Sequence, residues 1–241
     1  MNAPAAVAPT LVARATAELV GTALLVATVV GSGVMATRLT DDVALQLLAN
    51  SLATGAVLVA LIVSLQPVSA AFNPVVSLVE AVLRVVPART AAILITAQVL
   101  GGAIGAMGAN AMFDLDLVDV STHERTGTGL WIGEVVATLG LVLVIFGCVR
   151  AGRADAIAWA VAGWIVAAYW FTSSTSFANP AVTIARTLSD TFAGISPASV
   201  PMFVLMQLLG GAGALGLLRL LHPSSSSPSS STPTPLESSR D

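Results

Sequence analysis

Six stretches of this chain are apolar over about the length needed to cross a lipid bilayer. No other feature limits the fold as strongly. The stretches cover roughly 12–36, 43–66, 90–112, 129–149, 155–172 and 197–221. A helix that spans the hydrocarbon core needs about 20 such residues. Inside lipid every backbone N–H and C=O must find a partner within the protein, so runs of this kind fold as helices. Charge agrees with this reading: 10% of the residues are charged, against about 25% in a soluble domain. We read an all-α, multi-pass membrane protein with six transmembrane helices.

Two further apolar stretches, 73–86 and 179–192, are too short to span, and each opens with Asn-Pro. Proline suits the first position of a helix, where its missing N–H costs nothing. Asparagine is among the best residues for the cap just before it. NPVVSLVEAVLR and NPAVTIARTLSDT therefore each predict a short helix that begins at its Asn-Pro.

The two boxes belong to a longer repeat. The first half reads ELVGT from Glu18, NPV from Asn73 and QVLGGA from Gln98. The second reads EVVAT from Glu134, NPA from Asn179 and QLLGGA from Gln207, at offsets of 116, 106 and 109 residues. Each half holds three spans, so the halves are inverted in the membrane. Inverted repeats with broken helices mark a pathway near the midplane. One re-entrant half-helix then enters from each side, and Asn73-Pro74 meets Asn179-Pro180. A helix N-terminus carries about half a positive charge, so two facing ends disfavour a cation. The Asn73 and Asn179 amides are placed to donate to a passing oxygen. A lone Asn-Pro reads as a helix start or kink; two in register read as a pore.

Other functions find little support. One cysteine, Cys148, gives no disulfide, and His123 and His222 have no partners at metal-ligand spacing. No nucleophile–base pair or phosphate-binding glycine loop points to an enzyme. We expect no cofactor and no metal. The net charge of −3 gives no reason to expect nucleic acid. The segments are a tail over 1–11, a first repeat over 12–112, an acidic outer loop over 113–128, a second repeat over 129–221 and a Ser/Pro-rich tail over 222–241. That last tail reads as disordered, and the start does not read as a cleavable signal peptide. Arg14, Arg84, Arg89, Arg150, Arg153, Arg219 and Arg240 fall on one side of the spans, against Arg38, Arg125 and Arg186 on the other. This bias predicts both termini in the cytoplasm.

The paired NPV and NPA boxes, ExxxT in the first and fourth spans and QxxGGA in the third and sixth resemble the major intrinsic protein family, the aquaporins and aquaglyceroporins. The resemblance covers about 14–221. It implies a pore in each subunit of a homotetramer, set in membrane lipid, here the bacterial inner membrane. It also implies a box at Asn73, Pro74, Val75 and at Asn179, Pro180, Ala181, with Val75 replacing the usual alanine. Glu18 and Glu134 become buried acceptors for backbone N–H groups of the half-helix loops; a transporter would use them as proton carriers. Most family members carry arginine straight after the second box, where this chain has Val182. Arg186, one turn on, reads either as a guard of the outer mouth, with Asp190 at i+4 as a partner, or as a loop or headgroup anchor. Counting from the boxes gives Ser176, Ala167 and Ala53 or Thr54 as the rest of the filter. That set is small. It implies a constriction wide enough for water, glycerol or neutral metalloid hydroxides such as arsenous acid. The alternative is a secondary transporter on the same inverted-repeat architecture.

Overall fold

The computed structural model describes residues 8–221; the tail over 222–241 and most of the first tail lie outside the described residues. The helices are α1 (Leu11–Leu39), α2 (Val43–Leu65), α3 (Pro74–Val82), α4 (Ala88–Met112), α5 (Thr128–Arg150), α6 (Ile157–Phe171), α7 (Pro180–Ala185) and α8 (Val200–Leu221). Six of them, with short 3-10 turns leading into α6 and α8, are long and apolar enough to cross a membrane. The short α3 and α7 are the two Asn-Pro helices.

Local chemistry sets the ends. Thr10 accepts from the Ala13 N–H to cap α1, and Asp42 accepts from Ala44 and Leu45 to cap α2. Pro74 and Pro180 sit in the first turn of α3 and α7, behind capping Asn73 and Asn179. Both short helices end sooner than their apolar stretches. Leu83 closes α3 and Arg84 turns left-handed, φ +58°. Beyond Ala185, α7 tightens into a 3-10 turn over Arg186–Leu188 and leaves the helix at Ser189.

Packing follows the repeat. α1 lies along α4 and α5 along α8, while α2 and α6 join the two halves. The glycine-rich runs make the first two contacts close. A Cβ on Gly101 or Gly105 would overlap the Leu19 or Ala23 carbonyl, and one on Gly210 would crowd the Val135 carbonyl. Small residues let helix backbones approach in this way. Leu24, Leu52, Val63, Trp159 and Leu209 are exposed on the outer faces, as expected of a surface that meets lipid. α3 and α7 fill the space inside, each packed against α4 and α8.

Candidate pore and its constriction

The two Asn-Pro ends meet in the interior and are wired in the same way. The Asn73 side chain accepts from the Val75 N–H at 3.0 Å; that of Asn179 accepts from Ala181 at 3.0 Å and Val182 at 3.2 Å. Each amide then donates across the junction, Asn73 to the Ala178 carbonyl and Asn179 to the Phe72 carbonyl, both at 2.7 Å. An amide nitrogen has two hydrogens. One of each pair is thus spent on the opposite loop, and one remains. Both asparagines line the central cavity.

The residue before each box is left-handed, Phe72 at φ +47° and Ala178 at +48°. A non-glycine residue there costs about 1–2 kcal/mol, so something must hold it. Glu18 accepts from the Ala71 and Phe72 N–H groups, the Ser69 hydroxyl and the Gln98 amide. Glu134 accepts from the Phe177 and Ala178 N–H groups and the Gln207 amide. Gln98 also donates to Ser77, and Gln207 to Thr183. Both acids are fully buried, and neither lines the cavity. Their geometry is that of acceptors for loop N–H groups that cannot reach water.

The halves are matched in size as well as in hydrogen bonding. The Phe72 ring occupies the space that a Cβ on Gly21 would need. At the corresponding places in the second half stand Ala178 and Ala137. Val75, the departure from NPA, fits because Gly211 faces it; a Cβ on Gly211 would overlap Val75. Pro74, Val75, Pro180 and Ala181 are buried but do not line the cavity.

The cavity encloses about 550 Å³. It runs from Arg14, Glu80 and Arg150 at one end, past Asn73 and Asn179, to Arg186 at the other, and its wall is mostly apolar. At the Arg186 end the lining includes Thr54, Tyr169, Ser176, Phe177 and Val182. Of the residues counted from the boxes, Thr54, Ser176 and Val182 are present here. Ala53 is only half-buried and does not line the cavity. Ala167 faces out, into a shallow groove with Trp159 and Trp170. Ile165 and Tyr169, one turn apart on the opposite face of α6, line the cavity instead. The wall at this end is therefore not uniformly small, because it contains a tyrosine, a phenylalanine and an arginine.

Thr54 donates to the Asn50 carbonyl at 2.8 Å, which uses its one hydrogen. The 3.2 Å contact between the Thr54 and Tyr169 hydroxyls then has Tyr169 as donor, leaving the tyrosine oxygen as an acceptor. The Ser176 hydroxyl is buried without a protein partner, on backbone held at φ +53°.

Arg186 is buried and forms part of the cavity wall. Its Nε donates to the Ala193 carbonyl, and its guanidinium lies 3.5 Å from the centre of the Phe177 ring. Arg125 reaches in from the loop before α5. Its guanidinium lies 5.1 Å from the same ring centre and donates to the Gly194 and Phe192 carbonyls. Burial pushes Arg125 down to about 10, so it is charged at neutral pH. Asp190 does not pair with Arg186: it accepts from the Thr122 N–H and from the Thr122 and Ser121 hydroxyls. Its exposed carboxylate straps down the loop between α4 and α5.

Tyr169, Phe177 and Arg125 were not reached by counting from the boxes. Tyr169, the chain's one tyrosine, carried a signal: a hydroxyl in an apolar span needs a buried partner. Arg125 carried none, because its place depends on the fold of a loop far along the chain.

Comparison with known proteins agrees with this geometry. The family model described as Major intrinsic protein matches residues 6–156 and 147–238. The chain is 51% identical over 215 residues to aquaglyceroporin AqpS of Rhizobium meliloti (strain 1021), covering 88% of this chain and 92% of that protein. The X-ray structure of the aquaglyceroporin from Plasmodium falciparum superposes with a TM-score of 0.66. That superposition covers 87% of this chain and 96% of the other at 18% identity, a likeness of fold.

Proposed function

We propose, from the premise that the chain belongs to the major intrinsic protein family of membrane channels, that its pore passes water together with glycerol-sized polyols and neutral metalloid hydroxides such as arsenous acid. The observation that carries this reading is Val182. It lies in the cavity wall where most of the family has arginine, so an apolar side chain lines the same cavity as the Thr54–Tyr169 pair. An apolar face beside a few polar groups suits a solute with a carbon or metalloid centre and hydroxyl arms. The relative AqpS is named an aquaglyceroporin, which points to the same solute class.

Ions are excluded where the Asn-Pro ends face each other, because an ion shorn of water finds too few groups there to replace its shell. What weighs against a proton-coupled transporter is the setting of Glu18 and Glu134. Their acceptor sites are taken by loop N–H, amide and hydroxyl donors, and neither touches the cavity. We place both termini in the cytoplasm on the arginine bias, and we assign a homotetramer in the bacterial inner membrane by kinship with the family.

The test is solute flux in reconstituted liposomes. Water and glycerol or arsenous acid should both equilibrate, without saturation and without coupling to an ion gradient. Water flux with neither larger solute would overturn the reading. Val182→Arg should reduce glycerol flux more than water flux.

A further inference from the structure

α3 carries an acid for which the junction has no use. Glu80 lies seven residues beyond Asn73, as Arg186 lies seven beyond Asn179. The repeat thus puts an acid and a base at equivalent positions, and they line opposite ends of one cavity. Asn73, Val76, Glu80 and Leu83 follow one another at steps of three and four residues, the spacing of one helix face, and all four line the cavity. Among the described residues the half-buried Glu80 carboxylate has no hydrogen-bond donor and no cation within ion-pair distance. Arg14 of α1 lines the same end, and among the described residues its guanidinium has no acceptor. The two charges act on each other through space without pairing. Burial and the charge of Glu18 push Glu80 up to about 7, and Arg14 pulls the other way. Arg150 of α5 is the remaining charged group in the wall at this end. Of the helices packed on α3, α7 has no charged residue, and Arg89 of α4 and Arg219 of α8 do not line the cavity.

We propose that Glu80 and Arg14 form a polyol-binding site at the end of the cavity opposite Arg186, which takes neutral solutes with two or more neighbouring hydroxyls. The proposal rests on the channel reading above and gives that channel a point of selection far from Val182. A carboxylate only accepts hydrogen bonds and a guanidinium only donates them. Held apart, they leave a gap for a group that does both, and a hydroxyl is such a group. Two neighbouring solute hydroxyls donate to the two Glu80 oxygens, and a further solute oxygen accepts from Arg14. A solute that passes between bulk water and the narrow cavity sheds the water on its hydroxyls, and this pair replaces it. Single water molecules fit the gap too, but a polyol brings its second hydroxyl already tethered to the first. The guanidinium beside the carboxylate keeps it from gathering free cations at this end.

The full chain in proteoliposomes tests this through the ratio of glycerol to water permeability, with the same pH on both sides of the membrane. The wild-type ratio should be highest near about pH 8, where Glu80 is charged, and fall as pH drops through about 7. Glu80→Leu should cut the alkaline ratio about tenfold, the scale of one lost charge-assisted hydrogen bond, and abolish its pH dependence. Glu80→Gln keeps the shape and one acceptor oxygen, so its ratio should fall by less and stay flat with pH. This variant carries the test if Glu80→Leu is not recovered folded. Arg14→Gln should lower the ratio and move the midpoint of the pH profile upward, because the charge that favours the carboxylate is gone. A Glu80 that only supported the fold would change yield and leave the ratio and its pH profile alone. Wild-type vesicles tight to water and glycerol overturn the channel reading and the site with it. Permeable wild type whose ratio is flat with pH, or Glu80 variants that keep the wild-type ratio, overturn the site alone.

Discussion

The two short helices begin alike and end differently. α3 and α7 share an asparagine cap, a proline in the first turn, a left-handed residue before the cap and a buried glutamate that holds the loop. Past the first turn the likeness stops. α3 runs for nine residues and passes almost directly into α4. α7 runs for six, tightens at Arg186 and enters a long return loop over 189–196 that the loop between α4 and α5 holds in place. The repeated half of the design builds the junction where the two helix starts meet. Its unrepeated part supplies the arginine, the serine and the ring at one end of the pore. The support of the loop before each box is shared between the halves, and the wall at the Arg186 end of the cavity belongs to one of them.

The largest expected effect tests the shared part. Glu18→Leu and Glu134→Leu each strip the acceptor from two backbone N–H groups of a half-helix loop, a loss of about 2–6 kcal/mol at about 1–3 for each group. Neither variant should be recovered folded. The glutamine variants should fold with lower melting temperatures in detergent, and to similar extents. If Glu18→Gln is tolerated while Glu134→Gln is not, the two acids are not equivalent supports.

The next effect tests how size is matched across the repeat. Gly21→Ala drives a methyl into the Phe72 ring, and overpacking of this kind costs about 1–3 kcal/mol. Adding Phe72→Ala should recover most of the loss, because the pair then matches Ala137 and Ala178. A double mutant no better than Gly21→Ala alone would mean that the glycine answers to something other than the ring. Thermal unfolding of the four proteins gives the coupling energy.

That pairing also explains what could be read from the sequence. The junction was legible because its parts recur: two Asn-Pro boxes, two ExxxT motifs and two QxxGGA motifs at comparable offsets fix one another. The Arg186 end of the cavity has no second copy against which to check it. Counting back from Asn179 to Ala167 treats the loop as evenly extended, yet Thr175, Ser176 and Ala178 are all left-handed, so chain distance does not convert into height along the pore. The i+4 rule paired Arg186 with Asp190, but the helix ends at Ala185 and the rule lapses with it. Only the folded return loop brings Ala193 and Arg125 to Arg186.

A smaller effect belongs to Tyr169, the polar group that the second half places opposite Thr54 of the first. Tyr169→Phe removes one hydrogen bond, at about 0.5–1.5 kcal/mol, and should lower melting temperature slightly. Glycerol flux should fall by less than in Val182→Arg, with water flux nearly unchanged. Unaltered glycerol flux would leave the tyrosine as a tie between α2 and α6 and nothing more.

The smallest effect is at Asp190, in the strap that α7 has and α3 lacks. The Thr122 N–H, with the Thr122 and Ser121 hydroxyls, holds this carboxyl below its ordinary value of 3.8. A carboxylate with a depressed value adds stability in full above the unfolded value, and that stability disappears as pH falls through the folded one. Wild type should therefore melt slightly above Asp190→Asn at neutral pH, with the gap closing only below about pH 4. Because Asp190 is exposed and its partners are neutral, the gap should also survive added salt better than a surface ion pair would. Hydrogen exchange at Thr122 gives the local reading: faster exchange in Asp190→Asn, with the N–H groups of Phe72 and Ala178 unaffected, would place the strap's influence at the outer loop and leave the shared junction independent of it. Faster exchange at Ala178 as well would mean that the two parts of the design are mechanically joined, and the division between a repeated junction and an unrepeated return loop would fail.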